Sequence, residues 1–123
     1  MSIPFDTRVL VVDDFESMRR IVRQLLYDMG FRDITLADDG TTALAMLRQG
    51  SFGLLVTDWH MPQMDGIDLV RAVRADPRLN PIPILMVSAE ATRGQIIEAV
   101  KAGVNDYVVK PFTPQILQAK IGK

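Results

Sequence analysis

The sequence predicts an α/β protein: a doubly wound parallel sheet of five strands alternating with five helices that cover both of its faces. Three observations carry this. Five short runs rich in β-branched and other apolar residues recur along the 123 residues, and their near-continuous apolarity suits strands covered on both sides. Between the runs, apolar residues fall three and four apart, as on one side of a helix. Such alternation implies right-handed crossovers and a parallel sheet. Finally, polar residues able to do chemistry stand where these runs end, and the carboxyl ends of the strands are where sheets of this class bind ligands.

The first strand, Val9 to Val12, ends in Asp13 and Asp14, and a helical pattern begins at once with no glycine between. Met18, Ile21, Val22, Leu25, Leu26 and Met29 share one helical stripe, and Gly30 stands where a left-handed cap belongs. Ile34 to Ala37 is the second strand, followed by a helix through Ala43, Leu44 and Leu47 that stops before Gly50. The third strand, Leu54 to Thr57, delivers Asp58, and "MPQMDG", with Pro62 and Gly66, reads as a tight loop shaping that end of the sheet. Leu69, Val70 and Val73 mark the third helix. The fourth strand, Ile82 to Val87, leads to Ser88; Ile96, Ile97 and Val100 define the next helix, closed by Gly103. Gly94 inside it costs roughly 1 kcal/mol relative to Ala. Tyr107 to Val109 is the last strand, ending at Lys110, and Thr113 and Pro114 supply the N-cap and first position of the last helix.

Composition narrows the function. A net charge of about -1 with acids and bases interspersed lacks the footprint of a nucleic-acid binder. Absence of cysteine excludes disulfides and thiolate metal sites and suits the cytoplasm. "MSIPFDTR" has no apolar signal core, and no apolar run is long enough to span a bilayer. Residues 1–123 are expected to form one domain, complete in itself, soluble and monomeric.

If strands one and three are neighbours, Asp13, Asp14 and Asp58 converge. Three carboxylates in close quarters repel one another and stay ionised together only with a cation among them. A hard, oxygen-seeking ion fits, and Mg²⁺ in particular, because it keeps several waters and accepts a few carboxylates plus a phosphate oxygen. Lys110 offers a compact positive charge and Ser88 a hydroxyl, both suited to the oxygens of a phosphoryl group in transfer. Asp58 is then the nucleophile, forming an aspartyl-phosphate. Each residue alone has a simpler explanation. Asp14 could be the N-cap of the first helix, and Arg19, Arg20 and Arg23 read as a solvated face. Removing Asp13 is expected to relieve the repulsion in the metal-free protein.

"VVDDF", "DWHMPQMDG", "LMVSAEA" and "YVVKPFT", in this order and spacing, resemble the signature segments of response-regulator receiver domains. Among receivers, "DDFESMRRIVRQLL" and "DYVVKPFTPQILQAK" are most similar to the single-domain regulators of bacterial chemotaxis. The resemblance implies a flavodoxin-like sheet of strand order 2-1-3-4-5. It implies that Asp58 accepts a phosphoryl group from a sensor histidine kinase. Mg²⁺ would be held by Asp13, Asp14, Asp58 and the backbone carbonyl of His60. Ser88 and Lys110 would grip the phosphoryl oxygens, and Ser88 and Tyr107 would form the switch. Tyr107 and Lys120 would belong to a partner face built from helix four, strand five and helix five. It would be read by an output protein such as a flagellar motor switch component, with a phosphatase as a further partner. The Lys110-Pro111 bond would be cis. His60 and Glu90 would stand at the mouth of the site and tune it; His60 departs from the Asn more familiar at that position.

Two other functions use the same residues. A phosphohydrolase with an aspartyl nucleophile would usually carry a second aspartate where His60 stands, and a cap insertion for which this chain has no room. An interaction module that is never phosphorylated would not need the intact set of Asp13, Asp14, Asp58, Ser88 and Lys110.

Overall fold

The computed structural model describes residues 1–90 and 92–122. Strands and helices alternate as β1 Arg8–Val12, α1 Glu16–Met29, β2 Asp33–Ala37, α2 Gly40–Gln49, β3 Leu54–Asp58, α3 Gly66–Ala75, β4 Ile84–Ser88, α4 Arg93–Ala102, β5 Asp106–Val109 and α5 Pro114–Ile121. The strands are all parallel and lie in the order β2-β1-β3-β4-β5, as the resemblance implied. Among the described residues no helix is long and apolar enough to cross a membrane.

Side chains alternate across a strand, so the apolar runs divide between two cores. Leu10, Val12, Leu55, Ile84 and Met86 face one way and pack with Ala43, Leu47, Val70, Val73 and Ala99 of α2, α3 and α4. Val9, Val11, Leu54, Val56, Leu85 and Val87 face the other way, towards Val22 and Leu26 of α1 and Leu117 and Ile121 of α5. The register sets Val12 beside both Ala37 and Thr57, Asp58 beside Val87, and Ser88 beside Val109. The polar residues that end β1, β3, β4 and β5 therefore meet at one rim of the sheet.

Three local readings need correction. β4 begins at Ile84, not Ile82: Pro83 has no N–H for the ladder, its carbonyl accepts from Leu55 N at 2.9 Å, and the Ile82 carbonyl is taken by Arg74 at 2.6 Å. The N-cap of α1 is Phe15, not Asp14, and among the described residues no side chain caps it. On α4 the buried residue is Ala99, while Ile97 and Val100 are 44% and 60% exposed. A small side chain lets α4 approach its neighbours closely, and the bulkier stripe beside it is turned outward. Ile21 of α1 is likewise half exposed.

Other signals read as expected. Thr113 accepts from Ile116 N, with Pro114 in the first turn of α5, and the Lys110-Pro111 bond is cis. Met86 is fully buried, and Met61, Met64 and Phe112 pack against the cores. Gly66 is needed for contact rather than for flexibility. A Cβ there would lie 2.0 Å from the backbone oxygen of Asp58 and 2.9 Å from the Cα of Trp59. Only glycine lets the start of α3 lie against the end of β3, where Gly66 N donates to the Trp59 carbonyl.

Candidate functional site

The rim brings Asp13, Asp14 and Asp58 together: one carboxylate oxygen from each lies within 4.8 Å of the others. Their environments differ. Asp13 is buried and committed. Its N–H donates to the Ala37 carbonyl at 3.2 Å, Oδ1 accepts from Phe15 N at 2.9 Å, and Oδ2 accepts from Lys110 Nζ at 2.9 Å. Asp58 is also buried; its Oδ1 accepts from Trp59 N at 2.8 Å and lies 3.4 Å from Lys110 Nζ. Asp14 Oδ1 is buried and has no hydrogen-bond partner among the described residues.

Burial pushes the Asp58 carboxyl above its ordinary range, and the Asp13 charge pushes it further, against the pull of Lys110. Lys110 thus serves two carboxylates at once. With all three acids ionised, its single ammonium leaves the cluster two negative charges in excess. A buried acceptor without a partner beside two such charges fits a hard divalent cation with oxygen ligands.

Ser88 is fully buried at the end of β4, where its Oγ accepts from Glu90 N at 3.2 Å. Its carbonyl accepts from Lys110 N at 2.8 Å, which holds the hydroxyl and the lysine stem side by side on adjacent strands. Tyr107 is half buried and reaches over this corner. Its hydroxyl donates to the Glu90 carbonyl at 2.6 Å, and burial raises its pKa.

His60 and Glu90 do stand together. His60 Nε2 meets Glu90 Oε1, and the other carboxylate oxygen of Glu90 accepts from Gln95 Nε2 at 2.9 Å. The bonds from Gln95 and then His60 hold the Glu90 carboxyl below its ordinary range. The His60 ring stacks on Trp59 with centroids 6.0 Å apart, and Tyr107 packs edge-on to Trp59 at 6.4 Å. Lys120 lies apart from the carboxylates, its ammonium 3.0 Å from Asp106 Oδ1.

Sequence reasoning missed Arg19. It does not belong to a merely solvated face, because its guanidinium donates to the Asp13 carbonyl at 2.7 Å. One trace was present in the sequence: a cation in the first turn of a helix opposes the helix dipole.

The family model for the response regulator receiver domain matches residues 9–122. The chain is 65% identical over 116 residues to the chemotaxis protein CheY of Pseudomonas aeruginosa, covering 94% of each chain. It superimposes on CheY4 of Vibrio cholerae with a TM-score of 0.86 at 35% identity, covering 93% of this chain and 94% of that one. The receiver domain of a Pseudomonas aeruginosa sensor histidine kinase gives a TM-score of 0.82 at 30% identity, covering 96% of this chain and 99% of that one. That structure has a magnesium ion coordinated in its active site cleft. A fold of five parallel strands with its acids at the rim, together with these likenesses, identifies the chain as a member of the response regulator receiver domain family.

Proposed function

We propose that the chain is a phosphorylation-activated switch of a two-component system, working in the cytoplasm as a monomer. The observation that carries this reading is the unequal treatment of the three acids. Lys110 is shared between Asp13 and Asp58, while Asp14 keeps a buried oxygen without a partner among the described residues. In this reading Asp14, Asp58, Asp13 and the backbone carbonyl of His60 would hold Mg²⁺, which when bound would supply positive charge against the excess of the acids and of an incoming phosphoryl group.

Asp58 attacks the phosphorus of a phosphohistidine on a sensor histidine kinase. An O–P bond forms, the N–P bond breaks, and the imidazole leaves with the bonding pair and takes up a proton. Lys110, already 3.4 Å from Asp58, turns its ammonium to the incoming phosphoryl oxygens. Ser88 gives its hydroxyl to another, which pulls on the segment bearing Glu90. Tyr107 is bonded to that same segment through the Glu90 carbonyl, so it follows. His60 and Glu90 lie across the mouth and tune the access of water to the phosphoryl group.

The change is read on the α4, β5 and α5 face, which includes Tyr107 and Lys120. Exposed Ile97, Val100, Val109 and Ile116 lie on these elements and support a partner surface there. Kinship with chemotaxis proteins supports an output partner such as a flagellar motor switch component, with a phosphatase ending the signal.

The test is a small phosphodonor with Mg²⁺, followed by intact mass. A single transient phosphoryl addition, absent in Asp58→Asn, is expected. Sustained release of phosphate with no adduct would instead make the chain a hydrolase, and full labelling of Asp58→Asn would remove the assigned nucleophile.

A further inference from the structure

Arg19 is placed where helix stability disfavours it, in the first turn of α1 at the positive end of the helix dipole. Helical side chains lean towards the N-terminus, and this one reaches back to the Asp13 carbonyl at 2.7 Å. That oxygen belongs to the planar peptide unit whose nitrogen is that of Asp14. Gripping it sets the direction in which Asp14 leaves the strand.

The surroundings make this grip consequential. Asp13 is held through its N–H and both carboxylate oxygens. The Asp14 carboxylate, by contrast, has an oxygen with no partner among the described residues. Among those residues Arg19 makes no ion pair with Asp13, Asp14 or Asp58; its bond is to a backbone carbonyl alone.

We infer that Arg19 is a positioning residue for the divalent cation: it orients the Asp13–Asp14 peptide so that Asp14 presents its free oxygen to the ion. The inference rests on the Mg²⁺-dependent reading above. It also contradicts simple electrostatics. A guanidinium near the site repels a cation, so on charge alone its removal should tighten binding. If its main effect is orientation, removal must weaken binding.

The experiment is calorimetric titration of the metal-free chain with Mg²⁺, in the parent, Arg19→Met and Arg19→Lys. Arg19 lines an open surface hollow with Leu36, Asp38, Thr42 and Met46, and both replacements are smaller than arginine. Residues that hold a metal ligand in place typically change affinity by roughly 10–100-fold when lost. Because Arg19 acts on the peptide and not on a carboxylate, the low end is expected for Arg19→Met, about tenfold weaker, with Arg19→Lys restoring most of the affinity through its remaining donor. Unchanged or tighter Mg²⁺ binding by a folded Arg19→Met overturns the inference. Should that variant fail to fold, Arg19→Ala decides in the same way, having neither charge nor donor and a high helix propensity. A parent that binds no Mg²⁺ instead marks failure of the metal reading itself.

Discussion

The Lys110 ammonium lies 2.9 Å from the Asp13 carboxylate across 97 positions of sequence, and both side chains are largely out of solvent. Asp13 is therefore no surplus charge. It balances Lys110 and accepts from Phe15 N. These contacts argue against the expectation from sequence that losing Asp13 relieves the metal-free protein. Asp13→Ala should destabilise by about 1–3 kcal/mol, the usual penalty for buried groups left without their partner. Urea unfolding without Mg²⁺ measures it; a variant more stable than the parent would show repulsion to dominate.

Asp58 should behave in the opposite sense. Its folded-state pKa lies above the ordinary 3.8, raised first by burial and then by Asp13. For a raised pKa the contribution to stability is fully present below the unfolded value and is lost as pH rises through the folded one. Without Mg²⁺ the parent should therefore lose stability relative to Asp58→Asn as pH climbs above about 4. Melting curves of the two across this range should diverge with pH, and parallel curves would contradict the assignment.

Gly66 admits no side chain. Because a Cβ would meet the Asp58 backbone oxygen at 2.0 Å, Gly66→Ala must force α3 and the end of β3 apart. Overpacking of this kind costs about 1–3 kcal/mol or more, and labelling by a phosphodonor should fall with it. Wild-type labelling and melting would mean that the two backbones separate freely.

Gly94 gives the contrasting case. Among the described residues a methyl added at this position of α4 would meet nothing within 4 Å, and the backbone there is not left-handed. Gly94→Ala should stabilise the protein by about 0.5–1 kcal/mol and leave labelling unchanged. A lower melting temperature would show that α4 uses this glycine for something other than helix geometry.

The fold and the heart of the site were legible because both depend on residue type and order. Apolar runs mark strands, and the acids, Ser88 and Lys110 stand at their ends, where a parallel sheet must gather them. What could not be read depends on direction and reach. Stripe spacing announced α4 without saying that Ala99, not Ile97 or Val100, would face inward. Asp14 looked like a cap, yet the carboxylate that accepts a backbone N–H at that turn is Asp13, from Phe15. Arg19 acts on a backbone carbonyl, an acceptor every residue has, so no partner residue type betrayed it.

The strand order has a kinetic consequence. Asp13, Asp58 and Lys110 are far apart along the chain and become neighbours only when β1, β3 and β5 have docked in one sheet. The loop-closure entropy of such contacts is paid before the contacts reward it. If the chain crosses its folding barrier before its like charges meet, their repulsion belongs to the native side of that barrier. Neutralising Asp58 should then leave the refolding arm of a chevron almost unmoved and shift the unfolding arm, as interactions absent from the transition state do. In that case the electrostatic tension of the site governs how long the native state lasts, not how quickly it is reached.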